Sequence, residues 1–169
     1  MTSSGYEFVF LGIEKTDGDP YLAESLVYSF ESDKSGHRYQ VRIERYVNHL
    51  NGIKFYDESA DIDSGKFSHL SGTYEPRTIF RTVAEIAMDA LRRDPESSFF
   101  FVGAADEKDE GGKMNRRYRV YTSFLKDLGV GKFFRPVYLD DQSACILVNI
   151  KAVPDIREYV YKIFEFFTT

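Results

Sequence analysis

Arg116, Arg117 and Arg119 are the residues whose type and spacing point most directly to chemistry. They stand in a stretch, Lys113 to Lys126, with five basic residues and no acidic one. The chain around them is acidic, with 27 Asp and Glu against 22 Lys and Arg in 169 residues and a formal net charge of −5. Tyr118, Tyr121, Phe124, Leu125 and Leu128 recur at helical spacing, with Asn115 as N-cap and Gly129 as C′ residue. The three arginines therefore fall in the first turn of a helix, at the positive end of its macrodipole. Exposed cations there cost about 0.3 kcal/mol or more each. Free backbone N–H groups beside clustered guanidinium groups make a receptor for phosphate or carboxylate. Tyr118 and Tyr121 are near enough to add a hydroxyl or a stacking face. The candidate anion- or partner-binding set is thus Arg116, Arg117, Tyr118, Arg119 and Tyr121. Two sources of negative charge fit it. One is external; the other is the upstream loop with Asp106, Glu107, Asp109 and Glu110, which would pair with the arginines internally.

Other chemistries fail on spacing. Gly111-Gly112-Lys113-Met114 and Gly129-Val130-Gly131-Lys132-Phe133 both lack the earlier glycine and the Ser/Thr of a phosphate-binding loop. Asp61-Ile62-Asp63-Ser64-Gly65 opens like a calcium loop, but its glycine comes one place early and Gly72 stands where the bidentate Glu belongs. His37, His49 and His69 are scattered and read as ordinary surface or half-buried residues. Cys145, the one cysteine, excludes an intrachain disulfide framework and a thiolate zinc site. Its apolar neighbours make it a quiet packing residue. No catalytic residue, cofactor site or metal site is expected.

The elements that must position the arginines follow from periodicity. Glu7–Gly12 is a strand candidate. Leu26, Tyr28 and Phe30, then Tyr39, Val41 and Ile43, alternate with polar residues, the signature of a sheet with one wet face. On that face Arg38, Arg42, Arg45 and Tyr46 form a second basic patch, and the interleaved Glu44 points to cross-strand ion pairs. Asn51-Gly52 signals a hairpin before the strand Ile53–Tyr56. A short strand is placed near Lys66–Leu70. Ile79, Val83, Ile86, Ala87, Ala90 and Leu91 predict a helix over 76–93, stopped by Asp94-Pro95. Phe99–Val102 reads as a central strand covered on both faces. Phe133–Leu139 and Ala144–Ile150 form a hairpin about Asp140–Ser143, with Pro136 suited to an edge. Ile156, Tyr159, Val160, Ile163, Phe164 and Phe167 predict a final helix. The expected core includes Phe100, Val102, Val83, Ile86, Val160 and Phe164.

The fold class is therefore α+β: an antiparallel meander followed by α-β-α-β-β-α, one sheet packed by about three helices. Residues 1–169 read as a single domain, with 43% apolar residues to build its core. The start of the chain lacks the basic and apolar regions of a signal peptide, and no apolar run spans a bilayer, so a cytoplasmic location is expected.

Thr82-Val83-Ala84-Glu85-Ile86, the segment Pro95 through Gly103, and Arg117-Tyr118-Arg119 together resemble a family of small uncharacterised bacterial proteins, a domain of unknown function. The likeness covers about half the chain. It implies a fold shared among bacterial proteins and no catalytic residues.

Three functions fit this reading. The leading one is a non-enzymatic binding domain, from a bacterium or its mobile elements, that engages an anionic ligand or acidic protein surface. The net charge argues against non-specific duplex DNA, whose binding depends on neutralising many phosphates. The second is an enzyme acting on a phosphorylated substrate or RNA, which would need a base such as a histidine beside the arginines. The third is a regulatory or immunity protein that works by protein–protein contact.

Overall fold

The computed structural model describes residues 5–58, 76–102, 116–127 and 130–168. Strands β1 (Phe8–Lys15), β2 (Leu22–Glu31), β3 (Arg38–Tyr46) and β4 (Leu50–Asp57) form the expected antiparallel meander. The period-2 pattern sets its register. Leu26 pairs with Ile43, Tyr28 with Val41 and Phe30 with Tyr39, and all six side chains are buried on one face. The opposite face carries charged residues of β3 and β4. Arg42 pairs there with Glu14, and Lys54 lies 3.1 Å from Glu44, which are cross-strand ion pairs of the kind expected. Arg45 turns to the other side, where it reaches Glu24 and Asp94 and donates to the Ala90 carbonyl.

The β3–β4 turn falls at Val47–His49 and not at Asn51-Gly52. Positive φ is supplied by Asn48 (62°) and His49 (58°). Asn51 lies inside β4, and its buried amide donates to the carbonyls of His49 and Ser98. Gly52 is paired with Glu44, and the Phe100 ring lies against it; a Cβ there would come within 2.8 Å of Phe100 Cζ. The glycine is needed for close approach of a ring, which the dipeptide signal cannot distinguish from a turn.

Helix α1 (Pro76–Arg93) has the expected bounds and crosses from β4 to β5 (Ser98–Val102), a parallel neighbour. Parallel pairing requires a crossover of this kind. Ile79, Val83, Ile86 and Ala90 form its buried stripe. At the far end, Tyr28 donates to Asp89 (2.7 Å) and the Arg93 guanidinium stacks on Phe10 at 3.9 Å, joining α1 to the meander. The strand placed at Lys66–Leu70 lies outside the described residues.

β5 pairs with β7 (Ala144–Asn149), and β7 with β6 (Phe134–Leu139). The described strands thus form one sheet in the order β1-β2-β3-β4-β5-β7-β6. Pro136 sits on the outer strand, where its missing N–H is harmless. Helix α2 (Arg116–Asp127) packs on the same face as α1, and α3 (Ile156–Thr168) on the other. Phe99 and Phe101 point to the first face, in edge-to-face contact with Phe134 and Tyr121. Phe100 points to the second. Ile156, Tyr159, Val160 and Ile163 of α3 cover Leu50, Ile146 and Val148.

The expected core needs correction at two places. Val83 and Ile86 are buried and Phe100 and Val160 half-buried, but Val102 is 56% exposed and Phe164 is exposed too. Val102 ends its strand outside the cluster under α3, and Phe164 lies at the rim of the helix stripe. A mixed α+β chain with a mostly antiparallel sheet is what the sequence led us to expect. Among the described residues no helix is long and apolar enough to cross a membrane.

Candidate functional site

Helix α2 begins at Arg116, and its first turn holds no acidic residue. Its inward stripe is set by Tyr118, Tyr121 and Leu125, three and four residues apart. Tyr118 is 1% exposed and donates its hydroxyl to Asp140 at 2.6 Å. Burial, then the hydrogen bond to Asp140, raises its pKa far above the usual phenol value. Tyr121 packs edge-on against Phe80 (4.6 Å) and Phe101 (5.5 Å). Both tyrosines serve the core, so neither offers a free face to a ligand. Their helical spacing with Leu125 is the signal that gives this away.

Arg119 emerges on the outside of the helix. It is exposed and makes no ion pair with any other described residue. The side chains of Arg116 and Arg117 lie outside the described residues, as do Asn115, Gly129 and the acidic loop at Asp106–Glu110. The structure thus fixes the backbone at the helix start and one of its three guanidinium groups.

The histidines take other places. His37 bonds through Nδ1 to the buried carboxylate of Asp57 at 2.7 Å. His69 and the calcium-like Asp61–Gly65 segment lie outside the described residues. His49 stands in a cluster that the sequence reading missed. Its Nδ1 is 2.7 Å from Asp94 Oδ2 and its Nε2 is 3.3 Å from Glu96 Oε2. Arg45 Nη1 is 3.7 Å from the same Asp94 oxygen. Partial burial works to raise the Asp94 carboxyl. Hydrogen bonds from His49 and the Glu96 backbone N–H, with the charges of His49 and Arg45, outweigh it and hold the pKa below the usual value.

Topology makes this cluster. His49 precedes Leu50, and Leu50 pairs with Ser98 at the start of β5, so the turns before two parallel strands lie side by side. Two buried asparagines then hold the Asp94–Ser98 turn. Asn51 donates to Ser98 O (3.1 Å), and Asn149 donates to Pro95 O (2.9 Å) and Ser97 O (3.0 Å). Asn149 also accepts from the N–H groups of Lys151 and Ala152. Next to the cluster is a cleft of about 320 Å³, walled by Asn48, His49, Glu96, Pro154, Glu158, Tyr159 and Lys162 among others. No sequence signal joins His49 to Asp94 and Glu96, 45 or more positions away, without knowledge that β4 and β5 are neighbours.

The two places are at opposite ends of β5. His49 lies beyond the Leu50–Ser98 pair at its start. Asp140, the partner of Tyr118, follows Leu139, which pairs with Ala144 opposite Val102 at its end. Cys145 lies between them, fully buried, and burial pushes its thiol up to about 12. It is a packing residue, as its neighbours imply.

Compared with protein-family models, with curated proteins and with solved structures, the chain matches none.

Proposed function

We propose that this chain is a binding domain that engages an anionic ligand or an acidic partner surface at the start of α2. The observation that carries this reading is a helix that starts at Arg116 with no acid in its first turn, while Arg119 is exposed and unpaired among the described residues. Tyr118 and Tyr121 support it indirectly. They anchor the first two turns in the core, so the backbone N–H groups and the outward guanidinium are held in place before a ligand arrives. Preorganisation of this kind removes ordering cost from binding. The enzyme alternative needs a base beside the arginines. Of the two described histidines, His49 is at the far end of β5, and His37 is engaged with Asp57.

The contact alternative draws on a different observation. Among the described strands β1 is an outer one, with Val9, Leu11 and Ile13 exposed, and such an edge can pair with another chain. These side chains are aliphatic.

Replacing Arg117 and Arg119 together by Ala tests the leading reading. With an external partner, stability in low and high salt stays at the wild-type value or rises slightly, because two cations leave the positive end of a helix. A loss of stability that is larger in low salt than in high salt would assign the arginines to the acidic loop instead, since screening weakens exposed pairs.

A further inference from the structure

We propose that His49 and Glu96 form a binding site for a divalent transition-metal ion of the zinc type, with Asp94 as the group that orients the histidine. The site is separate from the start of α2 and stands or falls without it.

The donor set argues for the class of ion. An imidazole nitrogen with carboxylate oxygens suits zinc and its first-row neighbours, whereas calcium and magnesium favour all-oxygen shells. Nε2 of His49 and Oε2 of Glu96 are 3.3 Å apart. Ligand atoms about 2.0–2.1 Å from a tetrahedral zinc ion would be roughly 3.4 Å from each other. Donor atoms of His49, Asp94 and Glu96 all lie within 4.8 Å of one another, so an ion needs only small side-chain adjustments.

The two ring nitrogens have different jobs. Nδ1 lies 2.7 Å from Asp94, and in the neutral tautomer with its proton on Nδ1 the ring presents the Nε2 lone pair to a metal. Carboxylate–histidine–metal chains use this arrangement to fix tautomer and ring direction. Asp94 is itself held by Arg45 and by the Glu96 N–H, which donates to Oδ1 at 3.2 Å. An independent observation agrees with this division: His49 and Glu96 line the 320 Å³ cleft, and Asp94 does not. An ion on Nε2 would thus have two protein ligands behind it and the cleft in front, open to water or a ligand's donor atoms. Asp155 and Glu158 also stand on the cleft wall, where Glu158 is 3.3 Å from Lys162 and Asp155 accepts from the Glu158 N–H.

The frame is already built. Tyr159 donates to Asn48 O at 3.1 Å, and Asn51 donates to His49 O at 3.0 Å, which fixes the turn that carries the histidine. Asn149 fixes the turn that carries Glu96. Ser97, next to Glu96, is fully buried, and its hydroxyl has no hydrogen-bond partner among the described residues.

The test uses the full chain, stripped with chelator and titrated with zinc chloride by calorimetry and thermal unfolding. One ion per chain is expected, and zinc at a hundred times its Kd should raise the melting temperature by roughly 5–10 °C for a chain of this size. Glu96→Gln, at a 63% exposed side chain that leaves the fold intact, should weaken binding at least about tenfold. Asp94→Asn should weaken it by about 10–100-fold with the ion still bound, the mark of an orienting group. Magnesium at the same concentration should produce no shift. NMR of the His49 ring should show zinc perturbing Nε2 and not Nδ1. No saturable zinc binding at 1:1, or binding unchanged in both Glu96→Gln and His49→Gln, would overturn the proposal.

Discussion

Tyr118 donates a hydrogen bond from its phenol to Asp140 at 2.6 Å, and this bond ties the first turn of α2 to the β6–β7 turn. Tyr118 sits two residues into the helix and directly before Arg119, so it sets where the exposed guanidinium stands. Removing the hydroxyl alone separates this tether from the ring's packing. Tyr118→Phe should cost about 1.5–3 kcal/mol in urea unfolding, the net worth of a hydrogen bond to a charged group. A cost near zero would mean that Asp140 does not hold the helix.

Gly52 and Asn48 should respond differently to substitution. Gly52→Ala forces a Cβ to within 2.8 Å of the Phe100 ring and should destabilise by about 1–3 kcal/mol. Asn48→Gly, at φ 62°, relieves a left-handed conformation and should be nearly neutral. Thermal unfolding of the two variants checks this. Equal losses would contradict the assignment of the turn to Val47–His49.

These two residues also show how far the sequence could be read. Alternation in β2 and β3 and the 3.6-residue stripe of α1 made the element order, the fold class and most of the core legible, because one apolar face leaves one workable register. The dipeptide Asn51-Gly52 misled because a glycine under a ring and a glycine in a turn look alike. Tyr118 and Tyr121 could have been recognised as core from their spacing with Leu125, but the charge beside them drew attention. The His49–Asp94–Glu96 cluster was not legible at all. It depends on β4 and β5 being parallel neighbours, and on two buried asparagines that place the turn between them.

Acid should destabilise the chain through Asp89 and Asp94. Partial burial alone would raise Asp89, but hydrogen bonds from Tyr28, Arg93 and Arg92 outweigh it and hold the carboxyl below its usual value; Asp94 is held low by His49 and the Glu96 N–H. Groups whose folded pKa is depressed add stability above the unfolded value, about 3.9, and lose it as pH falls through the folded value. Their contribution should therefore be present above about pH 5, begin to fall near the unfolded value of about 3.9 and vanish only below the lower, folded value. Asp89→Asn combined with Asp94→Asn should flatten that limb of the stability curve. An unchanged acid limb would show that other carboxylates govern it.

Cys145 should be inert in the folded chain. With no exposed surface and a thiol pushed up to about 12, it has neither access nor thiolate at pH 8. Its reaction with an aromatic disulfide reagent should be limited by unfolding and become fast in denaturant. Rapid labelling under native conditions would contradict the packing described for β7.

The most direct measurement for the binding role is an amide-resolved NMR titration of the full chain with pyrophosphate and, separately, with a short polyglutamate peptide. A binding site at the start of α2 predicts saturable shifts centred on the amides of residues 116–119 for at least one of the two, weakened by salt and lost in the Arg117→Ala, Arg119→Ala double variant. Absence of saturable shifts at those amides with either probe, or identical shifts in wild type and double variant, would contradict it.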